Sequence, residues 1–306
     1  MIFQGMFAII TPALITGAFA ERMKFSAFLL FTLMWATLVY NPLAHWVWGG
    51  GWIGKMGALD FAGGTVVHIS SGLSVLAAAI FIGKRLDYGS AAYIPHNLPM
   101  TITGAALLWF GWFGFNAGSA LACNGLAANA FVVTHIASAL AALSWIVMEW
   151  VSKGKPTTLG AASGAVAGLV AITPASGFVG TLSAIIIGAL AGVICYGGVL
   201  LKSKLGYDDS LDVVGIHGLG GTWGALATGL FASTKINPDG ADGLFFGNPG
   251  LLWTQLISVI VTMVFVFIMT VLILKIIDLL IGLRITEEEE IKGMDISLHD
   301  ESGYSL

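Results

Sequence analysis

Two histidines lie in apolar stretches of the sequence, where a titratable side chain is unexpected. His68 lies in ALDFAGGTVVHISSG (58–72) and His217 in SLDVVGIHGLGG (210–221). Ionisable groups inside a membrane segment are rare and by default functional. A single buried histidine is more simply a neutral ring that bonds a carbonyl. Two in similar settings favour a pair that can hold and pass a proton.

Each histidine follows a Leu-Asp pair, and we expect Asp60 and Asp212 to cap the two helices. The similarity predicts two related half-bundles, an inverted-repeat arrangement in which the histidines meet at the interface around a central pore. A metal site is the alternative. It needs a third ligand in the same layer, and the residues available there are mostly Gly, Ala, Ser and Thr.

Aromatic residues form the second group of candidates. Six of them are predicted to lie near one membrane face: Phe3, Phe7, Trp48, Trp112, Phe113 and Phe115. The hydroxyl of Ser119 lies beyond them. Any one of these rings fits the aromatic belt that lines a membrane interface. Together they suit a small cation, because each ring offers roughly 0.5–2 kcal/mol of cation–π attraction.

The composition excludes a water-soluble domain. Of the 306 residues, 57% are hydrophobic and 10% are charged, and the mean hydropathy is +0.90. Soluble domains carry roughly 25% charged residues, so lipid must surround most of this chain. The net charge of −4 argues against nucleic acid as a partner. Cys123 and Cys195 lie singly in apolar runs and are expected to serve packing.

Apolar runs of spanning length predict an all-α integral membrane bundle, because a helix needs about 20 apolar residues to cross a bilayer. Nine such runs cover approximately residues 2–20, 26–47, 61–83, 98–122, 124–150, 158–176, 178–201, 210–232 and 250–283. Glycines four residues apart predict close helix contacts. These are Gly114/Gly118, Gly160/Gly164/Gly168, Gly188/Gly192 and Gly220/Gly224.

Lysine and arginine predict the orientation. They follow the first, third, fifth, seventh and ninth runs, and only Lys55 and Lys235 fall in the alternate loops. The positive-inside rule therefore places the N-terminus outside and the C-terminus in the cytoplasm of a cell membrane. The first run has its charges after it, so we interpret it as a span, not a signal peptide. We divide the chain into a transmembrane domain, 1–283, and an acidic cytoplasmic tail, 284–306.

Several long motifs resemble one family. They are FQGMFA, AERMKF, HWVWGGG, GALDFAGGTVVHI, PHNLPM, GWFGFNAGS, DVVGIHGLGG and GLRITEEEEIKGMDISLHDE. They are similar to the ammonium transporter family (Amt/Mep/Rh), specifically its Amt branch. The resemblance extends from Phe3 to about Tyr304, nearly the whole chain.

The resemblance implies a homotrimer with one pore per subunit and roles for particular residues. The roles group into ammonium recruitment by Trp48, Ser119, Phe7, Phe3 and Asp60, a phenyl gate of Phe7 and Phe115, and paired pore histidines His68 and His217. The acidic tail resembles the segment through which PII-type regulators act. Family members have eleven spans, and the first two are missing here. We therefore expect a fragment or a mis-started translation, with a naturally shortened pore as the alternative.

The expected function is transport of ammonium. Moving a bare monovalent ion into low dielectric costs on the order of 20 kcal/mol, so we expect ammonium to lose its proton before neutral ammonia crosses the pore. His68 and His217 would relay the proton. The alternatives are an Rh-type channel for neutral gas, an ammonium sensor that signals through its tail, and a membrane metalloenzyme. We expect neither enzymatic activity nor a cofactor.

Overall fold

The computed structural model describes residues 1–90 and 94–303, so the last three residues of the predicted tail, 304–306, lie outside the described part. Within those ranges the secondary structure is helical, apart from one isolated antiparallel bridge between Met23 and Arg284. The expected all-α bundle is therefore found.

Eleven of the α-helices are numbered α1 to α11. In chain order they are α1 (Ile2–Ala13), α2 (Phe25–Trp35), α3 (Ser70–Ile82), α4 (Leu98–Ala117), α5 (Gly125–Lys153), α6 (Thr158–Ile172), α7 (Thr181–Leu205), α8 (Gly220–Phe231), α9 (Pro249–Ile281), α10 (Glu287–Lys292) and α11 (Met294–His299). A π-helical turn precedes α3 at Gly64–Ile69, and another precedes α8 at Val214–Leu219. α2 continues through a third such turn, Ala36–Tyr40, into the helix Asn41–Trp48.

Six helical segments of the described chain are long and apolar enough to cross a membrane. They are Phe25–Lys55, Gly64–Ile82, Leu98–Ala120, Gly125–Lys153, Thr181–Leu205 and Pro249–Ile281. Two further expected runs coincide with the shorter apolar helices Ile2–Ala18 and Thr158–Ile172. The run at 210–232 falls on the second π-helical turn and α8. Nine spans and an inverted repeat remain predictions.

Side-chain caps explain where several helices begin. The side-chain oxygens of Asn97, Asn124 and Thr157 each accept a hydrogen bond from the backbone N–H three residues later, at 2.9–3.0 Å. These bonds satisfy donors that a helix leaves unpaired at its start, which matters most where no water reaches them. Gly154 and Gly206, both with positive φ, end α5 and α7.

Glycine spacing sets the closest helix contacts, as expected. A β-carbon at Gly168, Gly188 or Gly192 would collide with the α5 backbone, so α6 and α7 approach α5 as nearly as backbones can. Gly114 is different, because a β-carbon there would meet nothing within 4 Å. The expectation of a close contact at Gly114 is wrong: that face of α4 points away from the bundle.

A buried ion cluster closes one end of the bundle. Asp208 pairs with Arg22 and with Arg85 (Nη2 to Oδ1, 2.8 Å), and Arg85 also pairs with Glu21 at 2.5 Å. The side chains of Arg22 and Asp208 are 0% and 1% exposed. Burial disfavours the Asp208 carboxylate, but the hydrogen bonds and charges of Arg85 and Arg22 outweigh it and lower the pKa of Asp208.

The tail packs against this same end. The N–H of Ile285 donates to the carbonyl of Arg22 at 3.1 Å, and the N–H of Lys24 donates to the carbonyl of Leu283 at 2.8 Å. Glu290 of α10 pairs with Arg284 at 2.8 Å and accepts the backbone N–H of Leu86 at 2.9 Å. The tail is therefore tied to the segments that follow α1 and α3.

Candidate functional site

The two histidines meet in the middle of the bundle. Nδ1 of His68 lies 3.1 Å from Nδ1 of His217, a hydrogen-bonding distance. Only 1% of His68 and 7% of His217 is exposed. Nε2 of His68 is buried and has no hydrogen-bond partner within the described residues. One proton shared between the two Nδ1 atoms leaves one Nε2 as a donor and the other as an acceptor.

Each histidine belongs to a π-helical turn, Gly64–Ile69 or Val214–Leu219. Such turns are rare, widen the helix and recur at functional sites. The first begins after Gly63, whose φ of 118° strongly favours glycine. Apolar periodicity does not distinguish a π turn from an α turn, so the sequence analysis missed both.

Aromatic rings form a continuous column from the histidine pair to one end of the bundle. The ring of His68 stacks on Trp112 and on Phe115, with ring centroids 5.4 and 6.0 Å apart, respectively. Phe115 stacks on Phe7 at 4.3 Å with an interplanar angle of 26°. Phe7 in turn makes a T-shaped contact with Trp48, with ring centroids 5.8 Å apart. The gate pair predicted from the resemblance is thus in ring contact, next to both the indole and the histidines.

Two of the predicted recruitment residues lie around this column. Phe3 packs edge-to-face on Phe7 at 4.9 Å. Ser119 lies in a 3-10 turn directly after α4 and donates its hydroxyl to the carbonyl of Phe115 at 2.9 Å. Its connection to Trp48 runs through Phe115 and Phe7. The recruitment roles of both residues stay predictions.

Trp112 stacks on His68, a contact that the sequence did not predict. Its ring is parallel to that of His68 within 17°, and its Nε1 donates to Thr173 Oγ1 at 2.9 Å. It is 4% exposed. The signal was available, because Trp112 lies three residues before Phe115 on α4 and so shares its face.

Asp60 caps the helix that carries His68, as expected. Its carboxylate accepts the N–H groups of Gly63, Gly64 and Thr65 at 2.7–2.8 Å and the Thr65 hydroxyl at 2.5 Å. Its backbone carbonyl accepts Nε1 of Trp48 at 2.8 Å. Asp60 therefore positions both the π turn of His68 and the indole of Trp48, and its oxygens are turned toward these partners.

The expectation that Asp212 caps the second helix is wrong. Its carboxylate pairs instead with Lys202 at 2.5 Å. The cap is Asp209, whose carboxylate accepts the N–H of Val214 at 2.8 Å. Asp209 precedes His217 by eight residues, the spacing that separates Asp60 from His68. Asp209 is therefore the counterpart of Asp60. Matching the two Leu-Asp pairs instead aligns the segments three residues out of register.

Burial raises the pKa of Asp209 to about 6. The N–H groups of Val214 and Leu211 and the charge of Lys202 act in the opposite direction but do not overcome it. Asp209 is 1% exposed and lies next to Asp208 of the ion cluster. The helix of His217 is therefore capped by a carboxyl group whose pKa is raised by burial.

The remaining candidates for chemistry are the cysteines and possible metal ligands. Cys195 is buried, as expected, but Cys123 is exposed, so the packing prediction is wrong for Cys123. It lies between α4 and α5, after the 3-10 turn Gly118–Ala120. Across residues 1–90 and 94–303, no three His, Cys, Asp or Glu side chains are grouped as metal ligands would be.

Comparison with known proteins identifies the family of this chain. The sequence profile of the Ammonium Transporter Family matches residues 1–304. The ammonium transporter of Bacillus subtilis (strain 168) is 59% identical, over 99% of this chain and 75% of its own length. Ammonium transporter Amt1 of Archaeoglobus fulgidus is 52% identical, over 100% of this chain and 77% of its own.

A solved structure agrees as well. Mep2 of Saccharomyces cerevisiae superposes with a TM-score of 0.88 at 37% identity, and the match covers 93% of this chain and 66% of Mep2. The chain thus spans about three quarters of the two curated relatives and about two thirds of Mep2.

Proposed function

Because this chain belongs to the ammonium transporter family, we propose that it recruits ammonium from outside a cell membrane, removes a proton and conducts ammonia past His68 and His217. The observation that carries the proposal is the Nδ1–Nδ1 contact of 3.1 Å between these buried rings. It lies at the end of a column of aromatic rings that begins at Trp48.

Recruitment is assigned to the outer end of this column. Trp48 offers an indole face and Phe7 and Phe3 offer phenyl faces, while Ser119 supplies a hydroxyl oxygen. Cation–π attraction of roughly 0.5–2 kcal/mol per ring is enough to concentrate a monovalent cation, and not enough to trap it. Asp60 contributes indirectly, since its carboxylate is occupied by the start of the helix of His68.

Deprotonation is assigned to the gate. The ring centroids of Phe7 and Phe115 lie 4.3 Å apart, and two stacked rings at that distance leave no room for a hydrated ion. A bare ion in low dielectric costs on the order of 20 kcal/mol, whereas neutral ammonia carries no such cost. The ion therefore gives up its proton at the outer side of the gate. The released proton is passed to the histidine pair, and the rings part only for ammonia.

The histidine pair suits neutral ammonia. With one proton between the two Nδ1 atoms, the pair offers an Nε2–H to the lone pair of ammonia and a bare Nε2 to one of its N–H groups. When a proton arrives at the bare Nε2, the shared proton moves to the other Nδ1 and the second ring releases its Nε2 proton. The pair thereby passes one proton, and its donor and acceptor roles are inverted. Two charged rings at 3.1 Å would repel each other, so the pair is not protonated on both rings at once.

Family membership also supports a proposal for the larger assembly. We propose a homotrimer with one pore per subunit, nine transmembrane helices in this chain with an inverted repeat, and residues 284–306 as a cytoplasmic regulatory tail. The tail is the proposed contact for a PII-type regulator. Its support is the pairing of Arg284 with Glu290 and of Leu86 with Glu290, which connects the tail to the end of α3.

Proteoliposomes that contain the full chain test this function. An ammonium concentration jump is expected to produce a transient inward current, whereas an equal potassium jump produces none. An Rh-type channel for neutral gas would raise the internal pH without a current. An ammonium sensor, which the transporter relatives do not favour, would bind ammonium and give neither signal.

A further inference from the structure

Gln255 makes an unusual set of hydrogen bonds for a residue of a transmembrane helix. It belongs to α9 and is 1% exposed. Its Oε1 accepts the N–H of Leu59 at 2.8 Å, and its Nε2 donates to the carbonyl of Leu59 at 2.8 Å and to that of Ala225 at 3.0 Å. All three partners are backbone groups on other segments.

Leu59 needs these bonds because it lies outside any helix. Residues 58–60 form an irregular segment between the short helix Trp52–Lys55 and the π-helical turn of His68. Irregular backbone away from water persists only where its polar groups find partners in the protein. One carboxamide satisfies both backbone groups of Leu59 and so holds the peptide that joins Leu59 to Asp60.

That peptide leads directly to the recruitment site. The next carbonyl, that of Asp60, accepts Nε1 of Trp48, and the Asp60 carboxylate caps the turn of His68. The third bond of Gln255, to Ala225 in α8, connects the same carboxamide to the helix that follows His217. Gln255 thus holds the backbone segment that leads to the hydrogen-bond acceptor of Trp48.

We propose that Gln255 is a positioning residue for ammonium recruitment, which sets the indole of Trp48 through the Leu59–Asp60 peptide. Gln255 does not contact the ion. This inference rests on the proposed function, because it takes Trp48 as the recruiting ring. A side chain that only stabilised α9 would instead lower the amount or the maximal rate of the transporter and leave its apparent affinity unchanged.

The test is a double-mutant cycle measured as ammonium current in proteoliposomes. Gln255→Met keeps the volume and removes the hydrogen bonds. Because bonds of this kind contribute about 0.5–1.5 kcal/mol each, we expect the half-saturating concentration to rise roughly three- to tenfold. The maximal current per inserted protein stays within about twofold. In a Trp48→Leu background the same substitution is expected to add almost nothing.

Two further variants make the cycle decisive. Thr262→Val is the matched control and keeps the wild-type curve. Thr262 lies two turns further along α9, and its hydroxyl is fully buried with no hydrogen-bond partner among residues 1–90 and 94–303. Gln255→Glu keeps the chain length and, when neutral, one donor and one acceptor for Leu59. Its half-saturating concentration lies between those of the wild type and Gln255→Met, and it carries the cycle if Gln255→Met does not insert.

The outcomes separate this inference from the proposed function. Equal fold-changes for the Gln255 substitution with and without Trp48 would overturn the inference, as would a fall in maximal current at an unchanged half-saturating concentration. If Trp48→Leu alone leaves the saturation curve unchanged, the recruitment role fails first and Gln255 loses its function with it. A raised value for Trp48→Leu and an unchanged one for Gln255→Met would reject only the inference.

Discussion

The backbone of Gly72 lies against the backbone of Gly218, so closely that a β-carbon on Gly72 would overlap Gly218. The two glycines follow His68 by four residues and His217 by one. Close by, a β-carbon on Gly221 would lie 2.9 Å from the β-carbon of His68. The distance between the histidine rings is therefore set by glycines at the crossing of the two helices.

Adding a methyl group at this crossing is expected to disturb the histidine pair. Gly72→Ala should force the helices apart at a cost of about 1–3 kcal/mol, which we expect to lower both thermal stability and ammonium current. Gly104→Ala on α4 is the control, because a β-carbon there meets nothing within 4 Å. Equal currents and melting temperatures for the two variants would show that the crossing does not position the rings.

Trp48→Leu is expected to weaken recruitment without stopping conduction. The loss of one aromatic face costs about 1 kcal/mol, so the half-saturating ammonium concentration should rise roughly fivefold. Steady-state currents over a range of ammonium concentrations measure this. A curve that coincides with the wild type would remove Trp48 from the site, and Trp52→Leu, whose ring is exposed, is the matched control.

Asp209 gives a pH dependence of known sign. Its pKa is raised from 3.8 to about 6 in the folded protein, so the folded state takes up a proton that the unfolded state does not bind until the pH nears 3.8. This group therefore adds stability as the pH falls from about 6 to 4, and that contribution is lost as the pH rises through 6. Between the two pH limits, the contribution of Asp209 to the free energy of unfolding changes by about 3 kcal/mol.

Asp209→Asn removes this titration. The difference in melting temperature between wild type and variant, measured in mild detergent from pH 4 to pH 7, should change in favour of the wild type at low pH. A difference that stays constant across this range would contradict the burial-raised pKa of Asp209.

The docked tail is expected to influence conduction. Arg284→Ala removes the pairing with Glu290 and the bond to the carbonyl of Ile82 at the end of α3. A coupling of about 1 kcal/mol would lower the maximal current roughly fivefold and leave the half-saturating concentration unchanged. Lys292→Ala on exposed α10 surface is the control. An unchanged maximal current for Arg284→Ala would show that the docked tail is inert.

Sequence reasoning located what depends on residue type and missed what depends on contacts across the chain. His68 and His217 were identifiable because a histidine in an apolar run is rare. Asp209 was not, because Asp212 lies in the more conspicuous Leu-Asp pair, and only the hydrogen bond to Val214 identifies the cap. Similarity between two short sequence segments suggests candidate capping residues. Which residue of one segment corresponds to which residue of the other is decided by the packing of the folded chain.

The same limit explains Gln255 and Cys123. A glutamine in an apolar run has many possible partners, and its function depends on Leu59, which is 196 residues away in sequence. Cys123 resembles Cys195 in its surroundings along the chain, yet one is exposed and the other buried. Apolar neighbours in the sequence do not tell an exposed turn, which holds Cys123, from the buried helix face that holds Cys195.

The histidine pair is tested most directly by the current selectivity of the double variant His68→Ala/His217→Ala. The wild type should conduct after an ammonium jump and not after a potassium jump in the same proteoliposomes. The double variant, inserted at equal amounts, should either carry no current or conduct potassium as well, because the shared proton and the donor–acceptor pair for ammonia are gone. A wild-type ammonium current with wild-type rejection of potassium would contradict the account.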